Sequence, residues 1–332
     1  MILVTGGLGY IGSHACVALA AAGHRIVVLD NLCNSKLPVL ERLGELTGRE
    51  IGFVQGDVRD PEVLDRVFEN RDIKSVLHFA GLKSVADSVA RPSEYRDNNV
   101  GGTRTLLDAM RRHGAPSIVF SSSATVYGAP DFLPYTEDHP LRPASPYGEH
   151  KLEIERLLAA SGLLHASLRY FNPIGAHPSG RIGEDPRGVP DNLLPYLTQV
   201  AVGRLPKLRI YGSDYPTADG TGVRDYLHVM DLAAGHVAAL RYLREKNRSL
   251  TANLGAGRGY SVLEVLKAFE RANAVAIPYE FAPRRAGDIA AYWADPAHAA
   301  RELGWRTALG MEDMCRDAWR WQSQNPGGYP DL

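Results

Sequence analysis

The feature that most constrains this chain is the regular exchange of short β-branched runs and amphipathic stretches through its first half. The runs ILVT (2–5), RIVVLD (25–30), GFVQGD (52–57), SVLHFA (75–80), SIVFSSS (117–123) and HASLRYF (165–171) read as strands. Helical patterns lie between them near 11–22, 61–70, 93–113 and 146–160. Strand followed by helix, repeated, predicts a parallel sheet with helices on both faces. The runs are apolar almost without alternation, as expected for strands covered on both sides. The expected class is α/β, a doubly wound parallel sheet.

After Phe171 the texture changes. NPIGAHPSGRIGEDPRGVPDN is rich in Gly and Pro and reads as a long irregular loop, of the kind that is usually functional. Short strands (KLRIYG, TANLGAG, YEFAP) and helices near 191–203, 230–244, 261–272 and 310–323 follow. They predict a smaller mixed α/β C-terminal domain closing over the sheet's carboxyl edge. The expected division is 1–173 and 174–332, with segments such as 225–245 returning to pack on the first domain.

TGGLGYIGSH follows the first strand and opens the first helix, with glycines at Gly6, Gly9 and Gly12. Such a turn lets backbone N–H groups approach a pyrophosphate, whose charge the helix N-terminus favours. The second strand ends in Asp30, a carboxylate that would accept hydrogen bonds from the adenosine ribose hydroxyls. It would repel the extra phosphate of NADP, so a Rossmann site for NAD is expected.

SSSATVYG closes the fifth strand, and SPYGEHKLEIE opens the next helix with Ser145 and Pro146 as its entry. Tyr147 and Lys151, four places apart, share a face of that helix. A phenol with a pKa of about 10 is a poor base at neutral pH. Lowering it by roughly 3 units takes about 4 kcal/mol in favour of the phenolate. An adjacent ammonium and a positive nicotinamide ring can supply that in a poorly solvated cleft. Tyr147 would then take a proton from a carbinol while Ser123 holds the same oxygen, and Lys151 would also grip the nicotinamide ribose.

The bulk properties exclude other classes. Net charge is −1 across 332 residues, so nothing calls for nucleic acid or an anionic membrane. Cys16, Cys33 and Cys315 show neither metal nor disulfide spacing, which predicts small, mostly buried thiols and no metal. No apolar run approaches the roughly 20 residues that span a bilayer. The chain enters MILVTGG at once, and a soluble cytoplasmic protein is expected.

Together these motifs resemble the extended short-chain dehydrogenase/reductase family. HFAGLKSV, NNVGGT, RYFNPIGAHPSG, DYPTADGTGVRDYLHVMDLA, NLGAG and APRRAGD followed by AYWAD sharpen the match to the UDP-glucose 4-epimerases. The resemblance implies tightly held NAD and a UDP-hexose substrate. C4 of the sugar is oxidised, the 4-keto sugar swings about its diphosphate, and hydride returns to the opposite face, interconverting UDP-galactose and UDP-glucose. It implies Tyr147 as base, Ser123 as its partner and Lys151 as the tuning charge. Tyr10 and Ile11 on the glycine turn would touch the cofactor, as would Asp30, Asn31, Leu32, Cys33, Asn34 and Ser35. Asp57 and Val58 would meet the adenine, and Phe79, Ala80, Gly81, Leu82 and Lys83 the middle of the molecule. Asn98 and Phe171 complete that set.

On the substrate side the resemblance implies Asn172, Asn192 and Leu193 near the sugar and diphosphate, with Lys83, Ser123 and Tyr147. Leu208, Arg209, Ile210 and Tyr211 would pack on uracil, Arg224 and Arg285 would neutralise the diphosphate, and Asp288 would bind the uridine ribose. Tyr292 would crowd the sugar's C2 substituent and favour hexoses over N-acetylhexosamines. A homodimer through helices 96–114 and 146–160 is also implied. Rival readings are a nucleotide-sugar dehydratase or decarboxylase, another UDP-sugar 4-epimerase such as one for UDP-N-acetylglucosamine, and a non-catalytic NAD sensor. Ala124 and Thr125 stand where a dehydratase places its acid and base, and neither transfers protons in elimination.

Overall fold

The computed structural model describes residues 1–285 and 287–330. Strands β1 (Ile2–Thr5), β2 (Ile26–Asp30), β3 (Gly52–Gln55), β4 (Ser75–His78), β5 (Ser117–Ser121) and β6 (Leu164–Tyr170) open the chain. Between them run α1 (Tyr10–Ala21), α2 (Pro38–Thr47), α3 (Pro61–Glu69), α4 (Val85–Ala90), α5 (Pro92–Arg96), α6 (Gly102–Arg112) and α7 (Pro146–Ala160). Then follow β7 (Asn172–Ile174), α8 (Leu193–Ala201), β8 (Leu208–Tyr211), β9 (Val223–His228), α9 (Val229–Lys246) and β10 (Leu250–Leu254). The chain finishes through β11 (Gly259–Ser261), α10 (Val262–Asn273), β12 (Tyr279–Ala282), β13 (Ala291–Tyr292), α11 (Ala297–Leu303) and α12 (Met311–Gln324).

Seven parallel strands form the main sheet in the order β10-β6-β5-β4-β1-β2-β3. Alternate side chains enter two cores. Ile2, Val4, Val28 and Val119 face the layer of α1 and α9, while Leu3, Val27, Val76 and Phe120 face that of α3, α6 and α7. All are buried, which is why the sequence shows apolar runs without alternation. The order in which strands are added reverses between β1 and β4, and the crevice beyond their carboxyl ends is where doubly wound sheets take ligands.

The chain leaves this sheet after β6 and comes back to it. Strand β10 pairs with β6 and α9 packs on α1, so residues 229–254 belong to the sheet's body although they lie beyond 173. A third core, with Leu194, Leu197, Phe269 and Met314, fills the remaining lobe. There β7, β11 and β13 join β9, and β8 pairs with β12.

Several details depart from expectation. Helices α2, α4 and α11 and strands β7, β9, β11 and β13 were outside the sequence pattern. The helix expected over 93–113 is interrupted by a π-turn at Asp97–Gly101. The thiols are mostly buried, as expected: Cys16 and Cys315 are buried and Cys33 is exposed. Among the described residues, no helix is long and apolar enough to cross a membrane.

The returning strand is pinned by Asn253, which is fully buried. Its Oδ1 accepts from the Tyr127 hydroxyl at 2.6 Å and its Nδ2 donates to the Tyr135 carbonyl at 3.0 Å. Asn253→Leu strands both groups without water. It is expected to cost about 3 kcal/mol, since each unmet buried group costs about 1–3 kcal/mol. Urea titration checks this, and a midpoint within error of the parent would contradict it.

Candidate active site

Helix α7 begins where the sequence places it. The Ser145 hydroxyl accepts from the Gly148 amide at 3.2 Å, and Pro146 occupies the first turn, where a missing N–H costs nothing. The Tyr147 amide donates to the Ser88 hydroxyl of α4 at 3.2 Å. Glycine at 148 lets the helix approach the end of β5. A Cβ there would lie 2.7 Å from the Thr125 carbonyl oxygen, closer than packing allows.

That contact brings Ser123, Tyr147 and Lys151 together, each buried. The Ser123 oxygen accepts from the Thr125 amide at 3.2 Å and the Thr125 hydroxyl at 3.0 Å. Both of its lone pairs are thus engaged, and its own proton is left to donate to the Tyr147 phenol oxygen. Lys151 extends beneath the tyrosine. Its Nζ donates to the Ser121 carbonyl at 2.7 Å and lies 4.7 Å from the centroid of Phe120 and 5.6 Å from that of Tyr147.

The electrostatics differ from the expectation that the ammonium lowers the phenol. Burial pushes Tyr147 well above its ordinary range, neighbouring Tyr170 adds to this, and only the Ser123 hydrogen bond opposes it. Burial likewise draws Lys151 down to about 8, against the pull of Glu155. The physical reason is geometric: Nζ is committed to a main-chain carbonyl below the ring instead of to the phenol oxygen. The protein's own groups therefore hold the proton on Tyr147.

One continuous cleft of about 490 Å³ runs from this trio in both directions. At one end lies the glycine turn. A Cβ on Gly12 would sit 2.2 Å from the Gly6 carbonyl oxygen, so the turn tolerates no side chain there. The first turn of α1 has neither a side-chain cap nor an acidic residue, which leaves its N–H groups and positive dipole end for an anion. Asp30 accepts from the Leu8 amide, the Leu32 amide and the Ser35 hydroxyl at 3.0, 3.0 and 2.7 Å. A carboxylate has about four acceptor sites, so capacity remains for a ribose hydroxyl. Asp57 is held by Asn31 at 2.9 Å. A two-pronged bond from Arg59 keeps Asp57 down to about 2. These features fit a dinucleotide, and residues 6, 8–12, 30, 31, 33–35, 57–58 and 79–83 are the ones that could hold it.

At the other end, the Arg224 guanidinium stacks 4.7 Å from the Tyr292 centroid, and Arg285 lies 4.0 Å from that of Tyr211. Asp288 approaches Arg224 at 3.8 Å. The Tyr215 hydroxyl is buried here with no partner among the described residues, a polar atom suited to a ligand. Arg209 points outward to Glu280 at 3.2 Å, leaving the buried Leu208 and Ile210 as the apolar part of β8.

All but two of the residues expected from the sequence line this cleft. Leu32 instead turns the chain in a left-handed conformation (φ 61°) and gives its carbonyl to Arg187. Tyr292 stands behind the wall, its hydroxyl 3.5 Å from the Asn172 Oδ1. Sequence reasoning missed Glu184, which lines the cleft and accepts from Lys83 and Asn192, each at 2.9 Å. It also missed Asn99, whose amide clamps the backbone of Leu82 at 2.8 and 3.0 Å. The GEDP within the Gly- and Pro-rich loop was the signal for the first. Nothing local announced the second.

Comparison with known proteins agrees with this geometry. Residues 3–318 match the model of the family described as GDP-mannose 4,6 dehydratase. A UDP-glucose 4-epimerase of Bacillus subtilis is 56% identical over 333 residues, covering 99% of this chain and 98% of its own. The crystal structure of UDP-glucose-4-epimerase from Stenotrophomonas maltophila, with bound NAD and formylated UDP-arabinopyranose, superimposes with a TM-score of 0.95. It is 52% identical, over 97% of this chain and 98% of that one. The enzyme from Bifidobacterium longum, in complex with NAD+ and UDP, gives a TM-score of 0.95 at 48% identity over 99% of each chain. Elimination requires an acid and a base, which Ala124 and Thr125 cannot provide. With relatives this similar over essentially its whole length, the chain belongs to the UDP-glucose 4-epimerase family.

Proposed function

We propose that this chain interconverts UDP-galactose and UDP-glucose by transient oxidation at C4 of the sugar, rotation of the 4-keto sugar and reduction on its other face. The observation that carries the reading is the convergence of Ser123, Tyr147 and Lys151 in the cleft that also holds the glycine turn and Arg224. NAD, as held in the crystal structures of the Stenotrophomonas and Bifidobacterium relatives, supplies when bound a reversible acceptor for the two electrons leaving C4.

The chain's residues do the rest. Backbone N–H groups of the glycine turn bind the pyrophosphate, Asp30 takes the adenosine ribose, and residues 79–83, Asn98 and Phe171 line the middle of the cofactor. Asp57 and Val58 flank the adenine. Arg224 and Arg285 hold the substrate diphosphate, the apolar side chains of β8 cover uracil, and Asp288 takes the uridine ribose. Asn172, Asn192 and Leu193 border the sugar. Arginine suits the diphosphate because its planar fork bonds two oxygens at once. As a phenolate, which the positive nicotinamide ring of bound NAD+ would favour together with Lys151, Tyr147 takes the C4 hydroxyl proton and gives it back after rotation, while Ser123 turns its hydroxyl proton from the phenol to the C4 oxygen. Lys151 keeps positive charge beneath the phenol, which favours the phenolate during transfer. We also read the chain as a cytoplasmic homodimer assembled through α6 and α7. That reading rests on the resemblance of those helices and on free cysteines of the kind a reducing compartment maintains.

Three outcomes are expected. Tyr147→Phe loses about 10² to 10⁴ in kcat, the usual cost of removing a general base, measured with UDP-galactose and no added NAD. Near-parent turnover would refute the mechanism. Since Lys151 is protonated only below about 8, kcat falls as pH rises through that value. A rate flat to pH 10 would exclude the requirement for its charge. Finally, Tyr292 backs Asn172 and limits space at C2, so kcat/KM for UDP-galactose exceeds that for UDP-N-acetylgalactosamine by about 10- to 200-fold, the range for one unwelcome group in a tight pocket. Equal values would disprove that role.

A further inference from the structure

Helix α7 carries a third buried polar side chain in register with the site. Tyr147, Lys151 and Glu155 recur every four residues on its buried face. The Glu155 carboxylate is met from three sides. The Ser122 hydroxyl donates to its Oε1 at 2.6 Å, Arg169 Nη2 to its Oε2 at 2.7 Å, and Arg169 Nε to both oxygens at 3.0 and 3.3 Å. Arg169 also donates to the Tyr127 hydroxyl at 3.1 Å. The pair lies beneath the active site with almost no solvent contact: side-chain exposure is 6% for Arg169 and 8% for Glu155.

Stability alone does not call for ions there. Desolvating a buried pair consumes most of what its attraction returns, and well-packed apolar residues often serve as well or better. What distinguishes Glu155 is its neighbours. Ser122 sits between Ser121, whose carbonyl receives the Lys151 ammonium, and Ser123, whose hydroxyl meets the phenol. One carboxylate thus anchors the segment that orients both partners of Tyr147. The charged and titratable groups around Lys151 are Tyr147 and Glu155 on α7, His78 on β4, Arg169 and Tyr170 on β6, and Tyr95 of α5 behind Tyr147. Strand β5 offers only the Phe120 ring and the Ser121 carbonyl. Glu155 is the one carboxylate in that set.

We propose that Glu155 is a positioning residue for catalysis, holding Lys151 as an ammonium under the tyrosine and fixing the Ser121–Ser123 edge through Ser122. Arg169 fixes the carboxylate in place through its Nε and Nη2 donors. Burial already draws Lys151 down to about 8, and Glu155 acts against that fall. Without the anion, the lysine loses its proton within the working range of pH.

The proposal rests on the reading of Lys151 given above, and pH–rate profiles of the NAD-loaded enzyme test the two separately. Glu155→Gln keeps size and one acceptor oxygen but not charge. Its basic limb of kcat is expected about one pH unit below the parent's, the usual size of a nearby-charge effect. Glu155→Asp restores the anion and is expected to return the limb towards the parent position. Should Glu155→Gln fail to fold around an uncompensated Arg169, the double variant Glu155→Met with Arg169→Met removes the pair together and should show a smaller downward movement, because the cation leaves with the anion. A limb at the parent's position in the neutral variants, or equal movement in Glu155→Asp, overturns the role of Glu155. If Tyr147→Phe retains turnover, the reading of the site falls instead, whatever the limb does.

Discussion

The arrangement depends on burying one ammonium. Lys151 reaches into a region walled by Phe120, Tyr147 and His78, where an isolated charge would be driven to neutrality. A main-chain carbonyl, an aromatic face and a carboxylate one helical turn away keep it tolerable. The same dryness that threatens the lysine also raises the phenol. In low dielectric, each charge in the site counts for several times its value in water, so small changes in local charge move the proton. Burial thus makes a proton shuttle out of a side chain that would be inert on the surface.

That burial is a product of backbone fit. Helix α7 can lie against the Ser123–Thr125 turn because residue 148 has no side chain, and its first turn is anchored by Ser145 and Ser88. The cofactor end uses the same device, with Gly12 pressed on the Gly6 carbonyl. Both ends open at the carboxyl edge of the sheet, on either side of the reversal between β1 and β4. Topology therefore places the anion-binding turn and the phenol in one cleft without any element contributed by chance.

How much of this was legible depended on range. The first strand, glycine turn and helix were readable because each signal is local: an apolar run, a turn without side chains, a helix opening. Helix α7 was readable for the same reason, with Ser145 and Pro146 marking its start. Helix α2 was not, because Gly44 in its middle and Pro38 at its head resemble loop punctuation. Strands β7 and β13 have only three and two residues and exist because β9 pairs with them. The return of β10 to the main sheet, and the bonds from Lys83 and Asn192 to Glu184, join residues far apart in the chain. The commitment of Lys151 to a carbonyl instead of the phenol was equally invisible, since i,i+4 spacing gives proximity but not the direction of a flexible side chain.

The strongest physical discrimination within the family comes from two small residues. Oxidation at C4 is common to epimerases and dehydratases, so Ser123, Tyr147 and Lys151 alone cannot separate them. Elimination further demands a group that removes a proton beside the ketone and another that protonates the leaving oxygen. Ala124 has no polar atom. The Thr125 hydroxyl and amide are both spent on the Ser123 oxygen. That second engagement turns a residue which in an eliminating enzyme would handle protons into one that aims the serine. With no acid or base at positions 124 and 125 to carry an elimination, a 4-keto sugar formed in this cleft rotates about its diphosphate and is reduced.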